Sequence, residues 1–375
     1  MIAGTRRTLM LGAGASLLAP PAFAAEPTLA DDGYFEIWED VGPGVAVIRQ
    51  ARPFHLQPIG NVTVIEQSDG LVLVDSGGSP GSGRRIAALI RRNRPGWSVK
   101  AVILTHWHGD HPLGLGEILK AWPSARTIAT AATRAHLSDP KTLNTPAAPD
   151  PEANAKMVAQ YRGFAAYCRE MTAKAETEAD RAGWVAGARL FPQYAADMDG
   201  AVTLAPTESF TDRLLIEDAD APVEARFLGR ANTDGDAVVW LPRQTVLVTG
   251  DILVAPIPFG FGGYPTDWLA VLERLRAFGA GTLIPGHGAP MRDEGYLLRV
   301  RALIETARDQ VVASVAKGLD AKEARTAVNL DPQAAAFTGG DPWLKRWFDS
   351  YFTDPFVASA WKEAKGEPIV QSLGG

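Results

Sequence analysis

A single cysteine, Cys168, in 375 residues rules out any disulfide within the chain and any structural zinc site built on thiolates. Cations are in the minority: 37 Lys and Arg stand against 43 Asp and Glu, a formal charge of −6. No basic stripe gathers along the chain, so a nucleic-acid partner or an anionic membrane surface is not expected. No apolar run is long enough to span a bilayer. Histidine is also scarce, at six residues, so where those six fall is informative.

The N-terminus, MIAGTRRTLMLGAGASLLAPPAFAAEP, pairs Arg6 and Arg7 with a short Gly/Ala-rich apolar stretch that closes on Ala22-Phe23-Ala24. It is read as a twin-arginine export signal over residues 1–24, which places the mature protein in the periplasm or outside the cell, with no membrane attachment once the signal is removed. The remainder is longer than one core usually sustains, so one large domain with attachments, or two domains, is expected. FEIWEDV, GVAVIRQ, NVTVIEQ and GLVLVDSG read as strands separated by turn residues. A helix over IAALIRR and a strand over VKAVIL follow, and Pro112 is expected to open a helix through PLGLGEILKAW. Such alternation predicts an α/β sandwich. From about residue 137 to 200 the strands give way to an alanine-rich amphipathic stretch, read as a helical insertion capped by Asp150. Strands resume at VEARFL, AVVWL, TVLVT and TLI. Residues 291–375 read as a helical extension packed on the domain, with Leu297, Val300, Ile304, Ala307, Val311 and Val315 on one face and Gly318 as a stop.

Three of the six histidines sit in His106-Trp107-His108-Gly109-Asp110-His111, directly after the apolar strand VKAVIL. In an extended segment His106 and His108 point the same way, and a tight bend can aim Asp110 and His111 at a second point. One six-residue segment can therefore seed two metal sites. Imidazole and carboxylate without thiolate suit zinc first, with iron or manganese as alternatives. Three further segments place polar residues just beyond strand ends: GRANTDGD at 229–236, TGD at 249–251 and PGHG at 285–288.

Taken in order, THWHGDH, GRANTDGD, VLVTGDI and LIPGHG resemble the metallo-β-lactamase fold superfamily over about residues 34–290. The resemblance implies a four-layer αββα sandwich, with the domain over residues 25–290 and metals at one edge of the sheets. It implies a first metal site on His106 and His108 with a third histidine, a second on Asp110, His111 and His287, and Asp251 bridging them. Where the third histidine is usual, this chain has Asn232, a poorer zinc ligand. One zinc held tightly in the second site and a weaker one in the first are expected, with Asn232 either a weak ligand or a substrate contact. The form VLVTGDI is closer to bridging-aspartate hydrolase branches than to the true β-lactamases.

The implied reaction is hydrolysis of a small molecule by a metal-bound hydroxide that attacks a carbonyl of ester, lactone, thioester or β-lactam type, with Asp110 and Asp251 as catalytic residues that orient it. The alternative is a non-catalytic metal-binding accessory protein of the periplasm that keeps the fold with a weakened first site. No serine or cysteine nucleophile is read as competing. Phe259, Phe261 and Tyr264, on the Gly-rich loop after Asp251, are candidates for an apolar pocket wall, and His55 for a pocket role from an early loop. Asp75 either holds a ligand imidazole or simply forms a turn. His136 is expected to be solvated or capping, and Trp107 to be a packing residue.

Overall fold

The computed structural model describes residues 36–51, 59–139, 141–143 and 145–369. The leader and His55 lie outside them.

Twelve strands form two sheets. The first takes β1 (Glu36–Gly42), β2 (Val45–Gln50), β3 (Val62–Gln67), β4 (Gly70–Val74), β5 (Val99–Ile103), β6 (Arg126–Thr130) and β7 (Glu208–Phe210) in sequential order. The second runs β12 (Thr282–His287), β11 (Val246–Val254), β10 (Ala237–Leu241), β9 (Val223–Phe227) and β8 (Arg213–Ile216). Side-chain alternation explains the layering. In β4, Leu71 and Leu73 face a helical layer while Val72 and Val74 face the other sheet; in β5, Val99 and Val102 face helices while Ala101 and Ile103 face the second sheet. From β10, Ala237, Val239 and Leu241 answer from across the interface and Val238 points outward. Each such fully buried aliphatic side chain contributes about 1.5–3 kcal/mol.

Outside the first sheet lie α1 (Pro80–Asn93) and α2 (Leu115–Ala121); outside the second lie α6 (Pro265–Arg276) and α7 (Gly295–Ala316). The result is an αββα sandwich. Ser79 caps α1, accepting from the Ser82 amide at 3.0 Å with Pro80 at the first turn, and Arg91 and Arg92 stand in the last turn, where the helix dipole favours cations. Helix α2 starts at Leu115, not at Pro112 as the sequence suggested. Residues 109–114 form a turn instead, with the Gly114 amide on Gly77 O at 2.8 Å and the Ser76 amide on His111 O at 3.0 Å.

After α3 (Ala131–Ser138), the hairpin α4 (Pro151–Lys174) and α5 (Glu178–Asp197) stands between β6 and β7 in the chain. Asp150 caps α4 through the amides of Glu152 and Ala153. The C-terminal run continues from α7, which stops two residues before Gly318 at φ +80°, through α8 (Ala321–Ala327), α9 (Asp331–Thr338), α10 (Pro342–Trp347), a π-helical turn at Phe348–Thr353 and α11 (Asp354–Lys365). On the predicted α7 face, Leu297, Val300, Ile304, Ala307 and Val311 are buried and Val315 packs at the edge. Trp184 on α5 meets Trp343 and Trp347, which joins the hairpin to the C-terminal helices. Strands β6, β7 and β8 were not legible in the sequence.

Candidate metal centre

The centre is assembled at strand ends. His106, His108, Asp110 and His111 follow β5, Asp251 lies within β11, His287 closes β12, and Asn232 sits in the β9–β10 connection. Parallel pairing of β11 with β12 puts Gly250 opposite Pro285 and Val254 opposite His287, so these two segments arrive together. Backbone bonds hold the loops around them: Asn61 N donates to Gly286 O at 2.7 Å, and Gly60 N to Asp110 O at 2.9 Å. Both approaches require glycine, since a Cβ on Gly60 would overlap the His111 ring and one on Gly286 would overlap Asp251 Oδ1.

Two groups result: Asp110, His111, Asp251 and His287, and beside them His106, His108 and Asp251. In the first, His287 Nε2 lies 2.9 Å from Asp110 Oδ2, while His111 Nε2 lies 3.2 Å from Asp251 Oδ1 and 3.6 Å from Asp110 Oδ2. In the second, His106 Nε2 lies 3.1 Å from His108 Nδ1 and 3.7 Å from Asp251 Oδ2. The two oxygens of Asp251 are thus divided between the groups. Asn232 is fully buried, its Nδ2 3.4 Å from His108 Nδ1.

The residues fit a divalent metal. His287 Nδ1 and Asn232 Oδ1 are buried without a hydrogen-bond partner among the described residues, and His111 Nε2, His287 Nε2 and Asp251 Oδ1 face oppositely charged neighbours at 2.9–3.2 Å without an aligned hydrogen bond, a condition usually relieved by a ligand or ion. The charge balance points the same way. Burial alone would push the His111 pKa down, yet the carboxylates of Asp251, Asp110 and Asp75 hold it well above an ordinary imidazole. Burial would push Asp251 up, but His111, His287 and His106 draw it down to about 2, and Asp110 is held low by His111 and His287 in the same way. His106 and His108, by contrast, are kept neutral by burial, the protonation state a metal ligand needs.

Asp75 is a hydrogen-bonding hub. Its Oδ2 lies 2.8 Å from His111 Nδ1 and accepts from Thr105 Oγ1 at 2.8 Å, while Oδ1 accepts from the Thr105 amide at 2.7 Å. His111 Nδ1 is thereby engaged and Nε2 is turned to the centre. Thr105, which the sequence reading passed over, also touches His106 Nδ1 at 3.0 Å; its position next to the histidine cluster was the only signal.

Several expectations change. His136 is partly exposed and paired: its Nε2 lies 2.9 and 3.0 Å from the two Asp234 oxygens, with its ring beside the buried Trp107. A Gly-x-Ser-x-Gly spacing does occur, at Gly77–Gly81, contrary to the reading that no serine pattern competes. Ser79 is fully buried there and its hydroxyl is used as the α1 cap. Of the three loop aromatics, Phe259 packs on His287 and Tyr351, Phe261 on Tyr351, and Tyr264 lies under Arg230. None lines the cavity beside the centre. That cavity, of about 860 Å³, is walled by the α4–α5 hairpin, Trp347 and Tyr351, and Asp110 lines it. Asp110 is also the most open of the six His and Asp side chains, at 22% exposure against 2% for Asp251.

Two facing sheets between helical layers, with paired His/Asp groups gathered at strand ends, define an αββα protein built around a metal centre. The chain belongs to the metallo-β-lactamase superfamily, whose model matches residues 57–287. A linear primary-alkylsulfatase from Pseudomonas sp. (strain ATCC 19151) is 28% identical over 309 residues, 76% of this chain and 52% of that protein. This chain therefore spans about half the length of that curated relative. The stereoselective inverting sec-alkylsulfatase Pisa1 from Pseudomonas sp. has a similar fold, with a TM-score of 0.59 at 18% identity over 86% of this chain and 49% of that one. The DIM-1 metallo-β-lactamase exposed to ceftazidime is similar at a TM-score of 0.50 and 18% identity, covering 74% of this chain and all of its own.

Proposed function

We propose that the chain is a metal-dependent hydrolase of small molecules, with zinc as the metal and a carbonyl ester, thioester or lactone as the bond cleaved. The observation that supports this most is Asp251, whose two oxygens face separate imidazole groups. Asp110, His111 and His287 would hold one metal, His106 and His108 another, and Asp251 would be shared. When bound, the metal would supply a water that ionises near neutral pH and Lewis-acid stabilisation of a developing oxyanion. The chain's own residues do the rest. Asp110, open to the cavity, orients the attacking water, and Asp75 keeps His111 in one tautomer. Phe259, packed on His287, excludes solvent from that side.

A sulfate ester is the second reading, favoured by the resemblance to the linear primary-alkylsulfatase. A panel of aryl ester, thioester, lactone, chromogenic β-lactam and alkyl sulfate decides between them. Hydrolysis of an acyl substrate, lost with a chelator and restored by zinc, is expected. Turnover of the alkyl sulfate alone would move the assignment to sulfate esters, and a metal-loaded protein inert on the whole panel would favour a non-catalytic binder.

A further inference from the structure

We propose that the cavity between the α4–α5 hairpin and the C-terminal helices is an aryl-binding subsite that takes the non-reacting half of the substrate. Its role toward a substrate rests on the hydrolase reading above; the binding of an aryl group rests on the cavity itself.

The cavity, about 860 Å³, lies within the range of about 300–1,000 Å³ that encloses a drug-sized ligand. Its walls present aromatic rings in both orientations. Tyr161 meets Tyr194 edge-on at 4.8 Å and 83°, Phe164 stacks on Phe191 at 5.4 Å and 29°, and Trp184 stands edgewise to Trp347 at 6.0 Å. A planar ring entering among them finds faces for its edges and edges for its faces, an interaction an alkyl chain of equal area cannot make. The donors here also suit a π face. Trp184 is buried and its indole N–H has no acceptor among the described residues. Lys156 is exposed at the mouth, 2.8 Å from Glu152, and is the one Lys or Arg among the described lining residues. Phe164 and Tyr167 remain 41% and 49% exposed, a large apolar surface left open where a ligand would cover it. Asp110 lines the same cavity, so an aryl group seated here has its substituent directed at the candidate centre.

The test is binding of 2-naphthol and of 1-octanol, an alkyl alcohol of comparable apolar surface, to the full chain as isolated, followed by calorimetry. Neither carries a bond to hydrolyse, so the result does not depend on turnover. Naphthol should bind about tenfold more tightly than octanol, and Phe164→Ala, at a half-exposed position, should weaken naphthol about tenfold. Met157→Trp, which narrows the cavity beside Tyr161, should also weaken naphthol, with unfolding midpoints of both variants unchanged. For a naphthyl ester the same variants should raise KM with little change in kcat, and by more than they raise it for an ester of a short alkyl alcohol. Octanol binding as well as naphthol, or naphthol binding indifferent to both variants, would overturn the proposal. Naphthol binding that responds to the variants in a metal-loaded protein inert on the whole substrate panel would leave the subsite standing and remove the hydrolase reading.

Discussion

At His111 three carboxylates converge on one imidazole. Asp75 holds Nδ1 at 2.8 Å, and Asp251 and Asp110 face Nε2 at 3.2 and 3.6 Å. The neighbouring group is poorer: His106 and His108 share a single oxygen of Asp251, and Asn232 supplies an amide where a further imidazole would complete the set. The protein as isolated should therefore hold nearer one zinc than two, because an uncharged amide oxygen is a much weaker zinc donor than imidazole. Replacing Asn232 with His should raise zinc content toward two per chain after identical dialysis, as measured by metal analysis. Two zinc ions in both proteins would contradict the weakened-site account.

The elements that carry the cavity are tied to the sandwich by a buried ionic cluster. Arg85 on α1 donates to Glu36 of β1 at 2.6 and 3.1 Å and to Asp197 of α5 at 2.7 Å, with side-chain exposures of 15%, 1% and 7%. Removing the cation strands two buried carboxylates, so Arg85→Ala should cost about 3–5 kcal/mol in urea unfolding; a loss under about 1 kcal/mol would show that the cluster does not anchor the hairpin. Burial, outweighing Arg85, already pushes Glu36 above an ordinary carboxyl. Without Arg85 that pKa should rise further, so the variant's deficit should be fully present above the raised Glu36 value and shrink as pH falls from it toward the ordinary carboxyl range, where the native state takes up its proton.

How much could be read in advance follows from how local each signal is. The strand at β5 announced itself by four apolar residues and one lysine, and the ligand cluster by crowding after it. Strands β7 and β8 are three and four residues long, too short for an alternation to register, and the identity of β6 as a strand is settled by its neighbours β5 and β7. The turn that replaced the first part of the expected α2 is held by Gly77 and Ser76, residues more than thirty positions away. The cavity was illegible for the same reason. Tyr161, Trp184 and Tyr351 come from separate helices, and an aromatic side chain that faces a cavity has the same sequence signature as one that faces a core.

On the scale of the whole molecule, the two sheets bring every candidate ligand to strand ends or within β11, while the helices added between β6 and β7 and after β12 build the wall beside them. Among the described residues no helix is long and apolar enough to cross a membrane. The central claim is that turnover depends on metal held by the His/Asp groups. Its most direct test strips the full chain with a chelator and returns zinc in steps, with ester hydrolysis and bound metal followed together and His111→Ala carried alongside. Hydrolysis should rise from the background rate with the first zinc bound and stay at background in His111→Ala, which should retain little metal. Undiminished turnover by the stripped protein, or full metal and full turnover in His111→Ala, would contradict the account.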